Sequence, residues 1–152
     1  MKHYDWTAPI AQIIRDGGGR GGFVTVFPEY RPDRFAALAA HLEFRSFDFR
    51  SEVMSRLGWH ADRLSLEDLS STLSDLAVEG STVVTNIEAL LSTKSPQECT
   101  AWIDEFLATD WEHALVIPMV INAAQVPDNH PRAHRIPRDG LSEQSFLNRL
   151  TF

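Results

Sequence analysis

The chain has 152 residues, 43% apolar and 10% aromatic, which is enough for one folded domain with a real core and too much for a disordered chain. Its 14 Lys and Arg against 21 Asp and Glu leave a net charge of −7. That balance argues against sequence-independent duplex binding and reads first as solubility.

A single cysteine, Cys99, excludes an internal disulfide and fits a reducing compartment. No apolar run is long enough to span a bilayer, and the N-terminus lacks a hydrophobic signal core. The expectation is a cytoplasmic protein without membrane contact.

Taken in order, Thr7 is expected to cap a short helix with Pro9 in its first turn and Ile10, Ile13 and Ile14 on one face. The glycine-rich stretch 17–22 follows. Phosphate-binding glycine loops come after a strand and open a helix, whereas these glycines precede the first strand, so a flexible connector is the reading, with Arg20 as a mobile anion contact. Phe23 to Phe27 is the first strand, stopped by Pro28. A loop with Arg31 and Arg34 then enters a helix presenting Phe35, Leu38, Ala39 and Leu42. Strand, loop and helix are the parts of a P-loop, but Gly-x-x-x-x-Gly-Lys-Ser/Thr is missing.

Phe44 to Phe49 alternates and reads as the second strand. The segment 51–63 is ambiguous, with Met54, Leu57 and Trp59 as satellite core. Ser65 and Asp68 form a capping box ahead of a stripe of Leu66, Leu69, Leu73 and Leu76, closed by Gly80. Thr82 to Ile87 is the third strand. Ser95, Pro96 and Glu98 start a helix whose buried face is Cys99, Trp102, Ile103, Phe106 and Leu107. Cys99 therefore reads as a small core residue rather than a nucleophile. Ala114 to Ile121 is the fourth strand, and Pro118 within it suggests a bulge or an edge. The stretch 126–140, with Pro127, Pro131 and Pro137, reads as an irregular arm, and 141–152 as a short closing helix capped by Ser142. Strands alternating with helical segments predict a single three-layer α/β domain, with a mainly parallel sheet of about four or five strands and helices on both faces.

In such a sheet the carboxyl ends of central strands open onto the ligand crevice. The third strand ends Thr85-Asn86-Ile87-Glu88 and the fourth is followed by Asn122. That order of elements is similar to the core of a P-loop NTPase, where the third strand carries the Walker B acid and the next strand ends in a polar sensor residue. The run 83–91 resembles the Walker B region of the small P-loop proteins of BREX-type phage-defence systems, in which Asp-Asn-Ile-Glu follows a buried strand. Here Thr85 stands at the acidic position and the Walker A signature is absent. Mg²⁺ and triphosphate need a carboxylate, a lysine and close backbone donors. The resemblance thus implies a degenerate, non-hydrolysing relative, without cofactor or metal, that works through a larger protein partner in bacterial antiviral defence.

On that reading Arg31, Arg34, Thr85, Asn86, Glu88 and Asn122 are the candidate ligand-binding residues. A purely structural role for Asn86 and Glu88 is the competing expectation: Asn86 satisfying loop backbone, and Glu88 pairing with Arg31 or Arg34. Contact surfaces for a partner would be Trp6, Tyr30, Trp59, Trp111 and the Pro-rich arm, although each of these aromatics also fits the core. A nucleotide or nucleic-acid binder using Arg20, Arg31 and Arg34, and an unrecognised enzyme, are the alternatives; nucleotide and direct nucleic-acid binding are not expected. His130 and His134 are the only close histidines, too few for zinc without a Cys pair. Asp48, Glu52 and Glu88 have only generic spacing for a nuclease-like metal site.

Overall fold

The computed structural model describes residues 5–58 and 63–138. Helix α1 (Ala8–Asp16) leads into strand β1 (Gly21–Val26), α2 (Pro32–Leu42) and β2 (Arg45–Asp48). A π-helical turn, Arg50–Met54, runs into the short α3 (Ser55–Leu57). Then come α4 (Leu66–Glu79), β3 (Thr82–Thr85), the short α5 (Glu88–Leu91), α6 (Pro96–Ala108) and β4 (Ala114–Met119). A 3₁₀ turn at Ala123–Gln125 precedes β5 (Ala133–Arg135). The five strands form one all-parallel sheet in the order β2-β3-β4-β1-β5.

That order explains the layers. The chain leaves β1 toward the β2 edge, then turns round and steps back through β3 and β4 to β5. Crossovers of one hand that travel in opposite directions put their helices on opposite faces. Accordingly α1 and α2 pack Ile10, Ile14, Phe35 and Leu38 against Phe23, Val83, Ala114 and Val116. On the other face α4 and α6 pack Leu69, Leu73, Ile103 and Phe106 against Val24, Val84, Leu115 and Ile117. Alternate residues of the same strands serve the two cores, so β1 and β4 are buried along their whole length. The chain is a three-layer α/β fold.

The predicted caps of the two long helices are present. Ser65 accepts from the Asp68 amide while Asp68 returns to Ser65, and Ser95 and Glu98 do the same. At α1 the expected cap is corrected: Thr7 makes no side-chain cap, and Asp5 instead accepts from the Thr7 amide and hydroxyl. The connector reading of 17–22 is also corrected, because Gly21 and Gly22 belong to β1. A Cβ on Gly22 would lie 2.6 Å from the Phe106 carbonyl oxygen, so the glycine lets α6 close on the strand. Gly18 and Gly19, at φ +79° and +76°, make the turn before it.

Pro118 needs neither bulge nor edge. Strand β4 is central, and its pairing with β1 runs unbroken through Pro118 opposite Thr25. The His113 and Met119 carbonyls accept from the amides of Gly21 in β1 and Phe27 just after it, so Pro118, one residue out of phase, points its nitrogen toward β3. The β3 ladder ends at Val83–Val116, just before the amide that Pro118 lacks.

The arm 126–140 is not wholly irregular, since β5 adds a parallel strand beside β1. Leu57 is exposed rather than core, and Trp6 and Trp111 are buried rather than available for contact. Trp59 and the expected closing helix 141–152 lie outside the described residues.

Candidate functional site

The switch in chain direction falls between β1 and its neighbour β4, with β3 on the far side of β4: β1 feeds α2 on one face, and β3 feeds α5 and α6 on the other. A crevice of about 300 Å³ opens there, at the carboxyl ends of these strands, as expected for an open α/β sheet. It is lined by Tyr30 and Phe35 from the β1 side, Asn86, Glu88, Ala89 and Ser92 from the β3 side, Pro118 and Ile121 from β4, and Arg50 after β2. A larger open groove of about 590 Å³ lies between α4 and α6, away from the strand ends.

Glu88 reaches the site through a local break in the chain. Strand β3 stops at Thr85, and Asn86 takes φ 63°, a left-handed turn that asparagine tolerates better than most residues. Ile87 is fully buried and locks the turn, which starts α5 and carries the Glu88 side chain toward the end of β4. Its two oxygens accept from the Val120 amide at 2.8 Å and the Asn122 amide at 2.6 Å, and the Ile121 amide adds to the cradle. Only 9% of the residue is exposed. Burial pushes the carboxyl above its usual range, against the three backbone donors that pull it down. Glu88 is thus a strap that fixes the turn after β4, and it does not pair with Arg31 or Arg34.

The other expected residues differ in how far they are engaged, and Arg34 Nε is buried without a hydrogen-bond partner. Thr85 is half-buried and its hydroxyl donates weakly, at 3.5 Å, to the Phe47 carbonyl of β2. The Asn86 Oδ1 accepts from the Tyr30 hydroxyl at 3.2 Å, joining the β1 and β3 sides of the crevice. Arg31 forms ion pairs with Asp33 at 3.0 Å and Glu29 at 3.5 Å, and holds the Asp33 carboxyl below its usual range. Arg34 lies near Asp33, and neither arginine lines the crevice. Arg20 pairs with Asp110 on the surface. Asn122 is buried, with Nδ2 directed at Gln125 and no partner for Oδ1. Of the six residues, Asn86 and Glu88 line the crevice, Thr85 and Asn122 flank it in sequence, and Arg31 and Arg34 stand aside.

Arg50 is a lining residue outside the six expected from the sequence. It lies two residues past β2 and opens the π-helical turn, after a fully buried Phe49. Its position just past the carboxyl end of a strand is the available signal. Among the described residues no three His, Cys, Asp or Glu side chains gather in a way that could hold a metal ion, and Asp48, Glu52 and Glu88 do not form such a group. Asp48 instead accepts from the Ser51 amide, and Glu52 faces Arg56. Cys99 is buried with its thiol directed at the Leu91 carbonyl, and burial raises its pKa further, away from nucleophile chemistry. No helix among the described residues is long and apolar enough to cross a membrane.

No family model matches the chain, and no curated protein or solved structure is significantly similar to it.

Proposed function

We propose that this chain is a non-catalytic, P-loop-like protein that acts by binding a partner protein, as a component or regulator of a bacterial phage-defence complex. The observation that carries the reading is the use of Glu88. Among the described residues it is the carboxylate that lines the crevice, and each of its oxygens already accepts from a backbone amide of residues 120–122. A general base or Mg²⁺ ligand must have an oxygen to give to substrate or metal. Thr85 and the tied Arg31 supply neither a second acid nor a free cation at the phosphate position. The phage-defence assignment rests on the resemblance of the run 83–91 alone.

What remains at the strand ends suits recognition. Tyr30 is 57% exposed and Ile121 is 72% exposed, and both rim the same crevice. Large apolar side chains held at the rim of a small pocket are the composition of a protein contact. The test is turnover and binding together. Purified protein with Mg²⁺ and ATP or GTP should release no phosphate above buffer and show no rise in melting temperature. Hydrolysis abolished by Glu88→Gln would overturn the proposal.

A further inference from the structure

We propose that the crevice is an anchor pocket that takes one apolar side chain of a partner peptide segment, with a neighbouring Asp or Glu of that segment pairing with Arg50. This rests on the partner-binding reading and names the chemistry of the partner.

Size comes first. About 300 Å³, at the lower end of ligand-pocket volumes of roughly 300–1,000 Å³, leaves room for an inserted side chain. The walls are Phe35, Pro118 and Ala89, with Tyr30 and Ile121 at the rim. Phe35 and Tyr30 meet edge to face, 5.5 Å between centroids, and the Tyr30 hydroxyl is held by Asn86. The rim is therefore set in place before a partner arrives, which reduces the ordering cost of binding. Of the exposed large apolar residues described, Tyr30 and Ile121 converge on one cavity, whereas Leu57 and Val78 line no part of it.

Charge selects the occupant. Arg50 is exposed at the crevice and its guanidinium makes no ion pair or hydrogen bond among the described residues. Its acidic sequence neighbours are used elsewhere, Asp48 on the Ser51 amide and Glu52 on Arg56. Glu88, the carboxylate inside, is turned onto backbone. The unmatched charge facing a ligand is thus positive, in a chain whose net charge is −7. Screening over about 8 Å limits the repulsion of an acidic partner by the rest of the surface. A run of acids would still extend over that negative surface, so a single carboxylate beside the anchor is the better match. Asn86 and Ser92 can serve the backbone of the same segment.

The experiment is panning of a random linear peptide library against the purified protein. Synthetic copies of the enriched peptides are then titrated by fluorescence polarisation. The expected consensus is an apolar residue next to one Asp or Glu. Affinity should fall about tenfold for Arg50→Ala and for Ile121→Asp, and by a similar factor when the peptide's acid becomes its amide. Arg50→Lys should recover part of the loss. Both positions are exposed, and unchanged melting temperatures of the variants confirm that the fold is intact. A consensus lacking the acid, binding indifferent to Arg50→Ala, or no enrichment at all would overturn the inference. Nucleotide binding would instead overturn the broader reading, so the two failures are distinguishable.

Discussion

Glu88→Gln is the perturbation with the clearest physical consequence. The glutamine keeps one acceptor oxygen and places an NH₂ group where the other carboxylate oxygen stood. One of the Val120 and Asn122 amides, now at 2.8 and 2.6 Å from oxygen, would then face a donor. Losing a hydrogen bond to a charged group costs about 1.5–3 kcal/mol, and the relief of burying a charge offsets part of it. A net loss of about 1–2 kcal/mol in a domain of this size lowers the melting temperature by about 2–8 °C. The pH dependence carries a sign. Burial raises the folded-state pKa of Glu88, so the folded chain holds that proton more tightly than the unfolded one. The stability associated with it is fully present below the ordinary carboxylate range and is lost as pH rises through the raised value. Glutamine has no such contribution, so the gap between wild type and variant should widen as pH falls from neutral toward the ordinary range. Urea unfolding at several pH values measures the gap, and amide exchange at residues 120–122 should quicken in the variant. Equal stability of the two proteins with unchanged exchange would refute the strap, and a gap that narrows on acidification would refute the sign.

Other outcomes follow from single contacts. Gly22→Ala places a Cβ 2.6 Å from the Phe106 carbonyl oxygen and should cost about 1–3 kcal/mol in urea unfolding. Asn86 at φ 63° predicts a contrast: Asn86→Ala should lose about 1 kcal/mol, while Asn86→Gly should stay within a few tenths of wild type once the Tyr30 hydrogen bond is accounted for with Tyr30→Phe. Cys99, buried and with a raised pKa, should resist DTNB in the folded protein and react at once in denaturant.

The helices were legible where the signal is local. Both capping boxes and the leucine and aromatic stripes behind them depend on residues within a few positions of each other. What escaped the sequence depends on neighbours far along the chain. Gly21 and Gly22 have no strand propensity; a Cβ on Gly21, at φ +105°, would meet the Arg132 guanidinium, and one on Gly22 would meet the Phe106 carbonyl of α6. Pro118 suits the middle of the sheet because the β3 ladder ends before it, a fact of register. At the crevice, the strand-end rule points to Asn86 and Glu88, and both line it. The same rule points to Arg50, just past β2. Arg31 was readable as tied, since Glu29 and Asp33 flank it within two residues. The strapping of Glu88 to the turn after β4 was not, because its amide partners lie more than thirty residues away.

The most direct measurement is isothermal titration of the purified protein with Mg²⁺ and ATP. With each Glu88 oxygen accepting from backbone and Arg31 paired with Asp33 and Glu29, the titration should give no saturable heat and the parallel melt no stabilisation. A saturable isotherm would contradict it, accompanied by the roughly 2.7 kcal/mol of stabilisation that ligand at a hundred times its dissociation constant confers.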